Sequence, residues 1–267
     1  MSSVVTGRPS VGALLKEWRQ RRRLSQLDLA LDAEVSARHV SFVETGRSKP
    51  SRELLLHLAD HLDVPLRERN ALLLAAGYAP VYAERPLDDA AMSPVREALD
   101  KVLAGHEPYP AVVVDGRWDL VTANGTAVAI LGGVAPELLE PPVNTLRATL
   151  HPDGLARQIT NLGEYSAHLL HRLRQQAMLS QDPELSALYD ELRWYPGVEE
   201  RSPAAFEPAA LVFTTMRLRV GDEELAFFST LATFGTALDV TLAELAIESF
   251  FPADATTEQA LRRMQVR

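Results

Sequence analysis

The sequence predicts two domains of different class: an all-α N-terminal domain of five short helices, then an α+β domain with an antiparallel sheet. Three observations carry this. From Ser10 to about Gly77, apolar residues recur at helical spacing in short blocks separated by serine, glycine and proline signals. After Pro110 the texture changes, and "AVVVDGRWDLVTAN" reads as strand, Asp-Gly turn and strand. A second long hairpin, "AALVFTTMRLRVGDEELAFFSTLATFG", lies beyond a helical stretch, and strands at both ends with helices between them indicate α+β.

Taken in order, residues 1–9 read as a disordered start. Leu14, Leu15, Trp18, Leu24, Leu27 and Leu29 form an apolar stripe broken by a turn near Arg23. Ser25 caps a helix running to about Ala33, and Ser36 caps the next, which ends at Gly46. Pro50 and Ser51 introduce "SRELLLHLADHLDV", with Leu54, Leu55, Leu58, Ala59 and Leu62 inward, and "LRERNALLLAAG" supplies the fifth helix with its glycine stop. The prolines of "YAPVYAERPLDD" mark a linker, and Ser93-Pro94 opens a helix through "PVREALDKVLAG". After the first hairpin Asn124 caps a helix to about Leu131. A proline-rich loop follows, then a long amphipathic helix over 154–181 and another from Asp182-Pro183. The second hairpin turns at Gly221-Asp222, and Thr241 with Glu244 reads as a capping box for a helix through "LAELAIESFF". The expected divisions are therefore 10–78, a linker and connecting helix over 79–104, and 105–267.

Composition bounds the function. The chain of 267 residues has no cysteine, which excludes disulfides, thiol catalysis and thiolate metal sites. It shows no apolar run of membrane-spanning length and no secretory leader pattern, so a cytoplasmic protein with no membrane partner is expected. Its formal charge is −9, yet residues 8–52 hold ten Lys and Arg against five Asp and Glu. A basic head on an acidic body suits an anionic partner at one end.

The head meets the demands of a helix-turn-helix: two short helices joined by a tight turn, the second entering the major groove by its N-terminal end. In "SARHVSFVETGRSKPS", Val40 and Val43 face the core, while Ala37, Arg38, Ser41 and Phe42 lie on the other side. Arg38 has the reach for guanine O6 and N7, and Ala37 or Phe42 for a thymine methyl. The segment also resembles the helix-turn-helix of the XRE (phage-repressor-like) family from about Gly12 to Val64. The likeness rests on Leu24-Ser25-Gln26, Leu29-Ala30, Val35-Ser36 and Glu44-x-Gly46-Arg47-x-x-Pro50-Ser51. It implies that Gln26 contacts phosphate and braces the recognition helix, that Arg47 and Lys49 follow the backbone, and that Arg19 and Glu44 form a partly buried scaffold ion pair. Ser36 and His39 complete the expected DNA-facing set, His39 departing from the small polar residue usual there.

Other constellations carry less. His57/His61 and His168/His171 have helical spacings that suit a metal, but neither pair encloses a zinc-protease glutamate, and no metal or cofactor is expected. A serine-lysine self-cleaving protease needs a buried lysine, and Lys16, Lys49 and Lys101 all precede the second domain's strands. No phosphate loop, nucleophile elbow or dinucleotide fingerprint occurs, so no enzyme is expected. Apolar registers Val212, Met216, Leu218 and Val220, and Ala226, Phe228 and Phe234, suit either a cavity or an ordinary core; Trp118, Trp194 and Tyr195 are equally ambiguous.

"GRWDLVTANGTAVAIL", "NTLRATLHPDGLARQITN" and "LATFGTALDVTLAELAIESFFPAD" resemble the MmyB-like ligand-binding domain, over about Pro108 to Arg263. That likeness implies a PAS-like α/β sensor fold and a hydrophobic, fatty-acid-like effector. The pocket expected from pattern is lined by Trp118, Tyr165, Trp194, Phe213, Met216 and Phe228. Together these readings predict a bacterial one-component regulator that binds double-stranded operator DNA as a homodimer. The alternative makes the body a protein-interaction or dimerisation module without a ligand.

Overall fold

Serine begins four of the five head helices. In a computed structural model, which describes residues 9–180, 182–200 and 214–265, the side chains of Ser10, Ser25, Ser36 and Ser51 each accept a hydrogen bond from a backbone N–H in the first turn of the helix they cap. These helices are α1 (Val11–Arg21), α2 (Gln26–Asp32), α3 (Ala37–Glu44) and α4 (Arg52–His61), followed by α5 (Leu66–Ala75). Left-handed residues follow the five helices in turn: Arg23, Glu34, Gly46, Asp63 and Gly77. The head core gathers Leu15, Trp18, Leu29, Val40, Val43 and Leu58. Leu27 does not join it: α2 turns Leu29 and Ala30 inward and leaves Leu27 57% exposed, contrary to the apolar stripe read from sequence.

The chain forms two compact units, the first of residues 1–85 with 236–243 and the second of 86–235 with 244–267. The stretch read as linker therefore divides. Tyr82 is tied to the head through Asn70, which donates to its carbonyl at 2.7 Å, and Arg85 pairs with Asp239 at 2.9 Å. The connecting helix, α6 (Ser93–His106), belongs to the second unit, where His106 Nε2 lies 2.9 Å from the Phe250 carbonyl.

That unit is α+β. Its strands are β1 (Ala111–Val114), β2 (Leu120–Ala123), β3 (Met216–Val220), β4 (Glu223–Thr233) and β5 (Ala246–Pro252), in the order β2-β1-β5-β4-β3 with every neighbour antiparallel. Between β2 and β3 run α7 (Gly125–Leu131), α8 (Thr145–Leu150), α9 (Leu162–Ser180) and α10 (Pro183–Leu192). Asn124 caps α7 and also ties strand to helix: its Oδ1 accepts from Ala127 and Ala111, and its Nδ2 donates to the Tyr109 carbonyl.

Four local readings differ from what forms. The helix expected from residue 154 starts at Leu162, because the backbone just before it is used elsewhere. Thr160 N donates to the Arg217 carbonyl and Arg219 N to the Gln158 carbonyl, which covers the free edge of β3. The first hairpin does not turn tightly on Asp-Gly: Asp115 Oδ1 accepts from the Arg117 and Asp119 amides, and Trp118 takes a left-handed φ of 69°. The helix expected through "LAELAIESFF" is α11 (Val240–Glu244) only, with Asp239 accepting from Thr241 N. Its second half is β5, the central strand, since β1 and β4 both need a partner for their backbone groups. Finally, β4 faces the other way. Two residues separate Val220 from Glu223, so Leu218 lies opposite Leu225 and Met216 opposite Phe227. Leu225 and Phe227 are thus buried in place of Ala226 and Phe228.

Candidate functional site

In the head, one carboxylate ties α3 to the elements around it. Arg19 Nε and Nη2 donate to Glu44 Oε1 and Oε2 at 2.6 and 2.9 Å, and Gln26 Nε2 donates to Oε2 at 2.7 Å. Arg19 Nη1 donates to the Leu24 carbonyl at 2.7 Å, so α1, the turn and α3 share one network. Burial pushes the Glu44 carboxyl up, but the hydrogen bonds from Arg19 and Gln26 and the charges of Arg19 and Lys16 outweigh it and hold the group below its ordinary value. Close packing completes the joint: a Cβ on Gly12 would stand 2.4 Å from the Val43 carbonyl oxygen, so α1 crosses α3 at a distance only glycine permits.

On α3, Val40, Val43 and Glu44 point inward, and Arg38 and His39 are exposed on its first turn. The Arg38 guanidinium lies 5.0 Å from the Phe42 ring centroid and that of Arg47 lies 5.8 Å away, so the partly exposed Phe42 ring has two cations beside it. Ser36 is occupied as the cap, accepting from His39 N at 3.1 Å. Ser41 is half-buried, and Ala37 packs against the head core, which removes much of its methyl from any thymine contact. Arg47 and Lys49 are exposed after the Gly46 turn, Lys49 lying 5.2 Å over the Tyr78 ring.

In the body, a cavity of about 70 Å³ lies between sheet and helices. Val112 of β1, Met216 of β3 and Phe250 of β5 line it on the sheet side, and Ile130, Leu146 and Leu169 on the helix side. Of the residues expected there, Tyr165 and Met216 line it. Trp118 is buried in the core instead, its Nε1 donating to Gln176 at 2.8 Å beneath the Arg172 guanidinium. Trp194 is 77% exposed, and Phe228 stacks on Phe251 at 5.3 Å on the opposite face of the sheet from Phe250. Phe213 lies outside the described residues. Sequence reasoning missed Glu248 and Phe250 because their segment reads as helix; as a strand, residues two apart share a face, and both line the cavity.

His57 Nε2 lies 2.8 Å from the Ala33 carbonyl, and His171 Nε2 lies 2.9 Å from Gln175. Among the described residues no group of three or more His, Asp or Glu could hold an ion, and no helix is long and apolar enough to cross a membrane.

Residues 95–264 match the family described as MmyB-like transcription regulator ligand binding domain, and this match spans more than half of the chain. The chain belongs to that family. Ahead of the MmyB-like domain, residues 10–72 match a helix-turn-helix domain. A DNA-binding domain and a regulatory ligand binding domain on one chain make a transcription regulator, and neither is an enzyme family. No curated protein matches. Among solved structures, the clp gene regulator ClgR from Corynebacterium glutamicum is 24% identical, with 38% of this chain and 99% of that one covered and a TM-score of 0.23. A variant of RsLOV is 15% identical, with 62% and 75% covered and a TM-score of 0.29. An RNA-binding Light-Oxygen-Voltage receptor is 13% identical, with 96% and 62% covered and a TM-score of 0.25.

Proposed function

We propose that the chain is a cytoplasmic, bacterial one-component regulator of the XRE type. It binds a specific operator as a homodimer, and a small hydrophobic effector in the MmyB-like domain sets its affinity for that operator. The observation that carries the reading is the division of labour on α3. Glu44, Gln26 and Arg19 brace the helix from behind, while Arg38 on its first turn stays exposed and, among the described residues, outside every ion pair. A bidentate arginine at the entering end of such a helix reads guanine, and Arg47 and Lys49 in the following loop neutralise phosphate. Gln26 serves as the brace, with His39 and Phe42 at the groove edge. Two symmetric heads would read half-sites one helical turn apart. The apolar lining of the cavity supports a hydrocarbon body for the effector, the fatty-acid-like part of the expectation. Such a molecule alters DNA affinity only by binding the competent and incompetent arrangements unequally.

Selection from random DNA supplies the operator, its half-site spacing and the dimer geometry together. On that operator Arg38→Ala weakens binding by about 1–3 kcal/mol with unchanged melting. Binding equal to that of the unmodified protein would show that another residue reads the base.

A further inference from the structure

Among the described residues, the cavity of the MmyB-like domain is lined by hydrocarbon apart from Thr145, Thr149, Tyr165 and Glu248, and these four decide which polar group a guest can carry. The two threonines have committed their protons. Thr145 Oγ1 donates to the Trp118 carbonyl at 2.9 Å and Thr149 Oγ1 to the Thr145 carbonyl at 2.8 Å, which leaves only lone pairs. Glu248, on the central strand, is 6% exposed. Its Oε1 accepts from Ser229 Oγ at 3.0 Å and, at a long 3.4 Å, from Arg172, while among the described residues Oε2 accepts nothing. Tyr165 is 5% exposed, and its hydroxyl makes no hydrogen bond to any described residue. Among the described residues no lysine, arginine or histidine lines the cavity. Arg172, the cation beside Glu248, is spent on that carboxylate and on the Trp118 ring 4.2 Å away.

A carboxylate guest would therefore enter beside a buried carboxylate, where like charges repel in a poorly solvated space, with a single phenol proton to meet it. A donating head meets the free oxygen of Glu248 and the threonine lone pairs, and a buried acceptor left unmet is itself costly. We propose that the effector is a small hydrocarbon molecule ending in a hydroxyl or amino group that donates to Glu248, not a carboxylic acid. Tyr165 completes the site by donating to the oxygen of an alcohol. The assignment rests on the reading of this cavity as the effector site.

Isothermal titration of the full chain at pH 7.5 with 1-octanol, octylamine and octanoate separates the possibilities. The expected result is binding of the alcohol and the amine at least tenfold tighter than the acid. Glu248→Gln keeps the side-chain shape and removes the charge; it should weaken octylamine on the order of tenfold and narrow its advantage over octanoate. Tyr165→Phe should weaken octanol and spare octylamine. Melting curves of both variants confirm that they fold. Octanoate binding as tightly as the other two would overturn the head-group assignment and leave the cavity as an effector site. Donor preference that survives Glu248→Gln would move the assignment to another residue. Failure of all three molecules to bind would remove the effector reading itself, and this proposal with it.

Discussion

Substituting Glu44 by alanine separates architecture from recognition in the head. The Glu44 side chain is 1% exposed and that of Arg19 9%, so the pair is desolvated on both sides. Three hydrogen bonds converge on the carboxylate. Glu44→Ala leaves Arg19 with the Leu24 carbonyl alone. Breaking a buried pair from one side costs about 3–5 kcal/mol, and three lost bonds at about 1–1.5 kcal/mol each give the same size. A domain of the head's length holds about 4–11 kcal/mol in total, so the substitution removes a large share of its stability. Hydrogen exchange read by mass spectrometry is the suitable assay, because it resolves α1 and α3 from the rest of the chain. Their slowest amides should lose protection by about a hundredfold or more, and operator binding should fall with them. The double variant Arg19→Met/Glu44→Met replaces the charges with packed hydrocarbon, and should recover most of the protection and much of the binding. A loss below about tenfold in Glu44→Ala would show that the pair is not the brace of α3. Recovered protection without recovered binding would show that Arg19 or Glu44 works on the DNA.

Three further outcomes follow from the same geometry. Because Glu44 titrates below its ordinary value of 4.5, its contribution to head stability is complete above that pH and is lost as the pH falls through the lowered folded value; denaturation followed from pH 7 to pH 3 should show the decline, and Glu44→Gln should flatten it. Gly12→Ala puts a methyl carbon 2.4 Å from one backbone oxygen and 2.6 Å from another, so α1 and α3 must separate, at a cost of about 1–3 kcal/mol in urea unfolding. Asn124→Ala removes the α7 cap and strands the Ala111 amide and Tyr109 carbonyl at the start of β1; a loss of about 2–3 kcal/mol in body stability is expected, and one below about 0.5 kcal/mol would show that water replaces the side chain.

Legibility in the sequence followed the range of the interaction. The head was readable almost throughout, because serine caps and left-handed stops act within one turn of the residues they terminate. The pairing of Arg19 with Glu44 came from the family likeness, not from spacing, since 25 residues separate the partners. The same holds for Gly12, whose close approach to α3 leaves no mark in its neighbours. In the body, the Gly221-Asp222 turn already contained the correct face of β4. A two-residue connection sets even positions of β3 opposite odd positions of β4, and applying that rule would have chosen Phe227 over Phe228.

By itself, then, the sequence determined two domains, the capped helices of the first, the exposed cations on α3, and hairpins at both ends of the second. Tertiary structure alone decided the role of residues 246–252. Their composition suits a helix as well as a strand, and only the unpaired backbone edges of β1 and β4 make them the middle of a sheet. That placement carries Glu248 into the wall of the cavity, and an acidic residue that local pattern would assign to solvent becomes its buried acceptor.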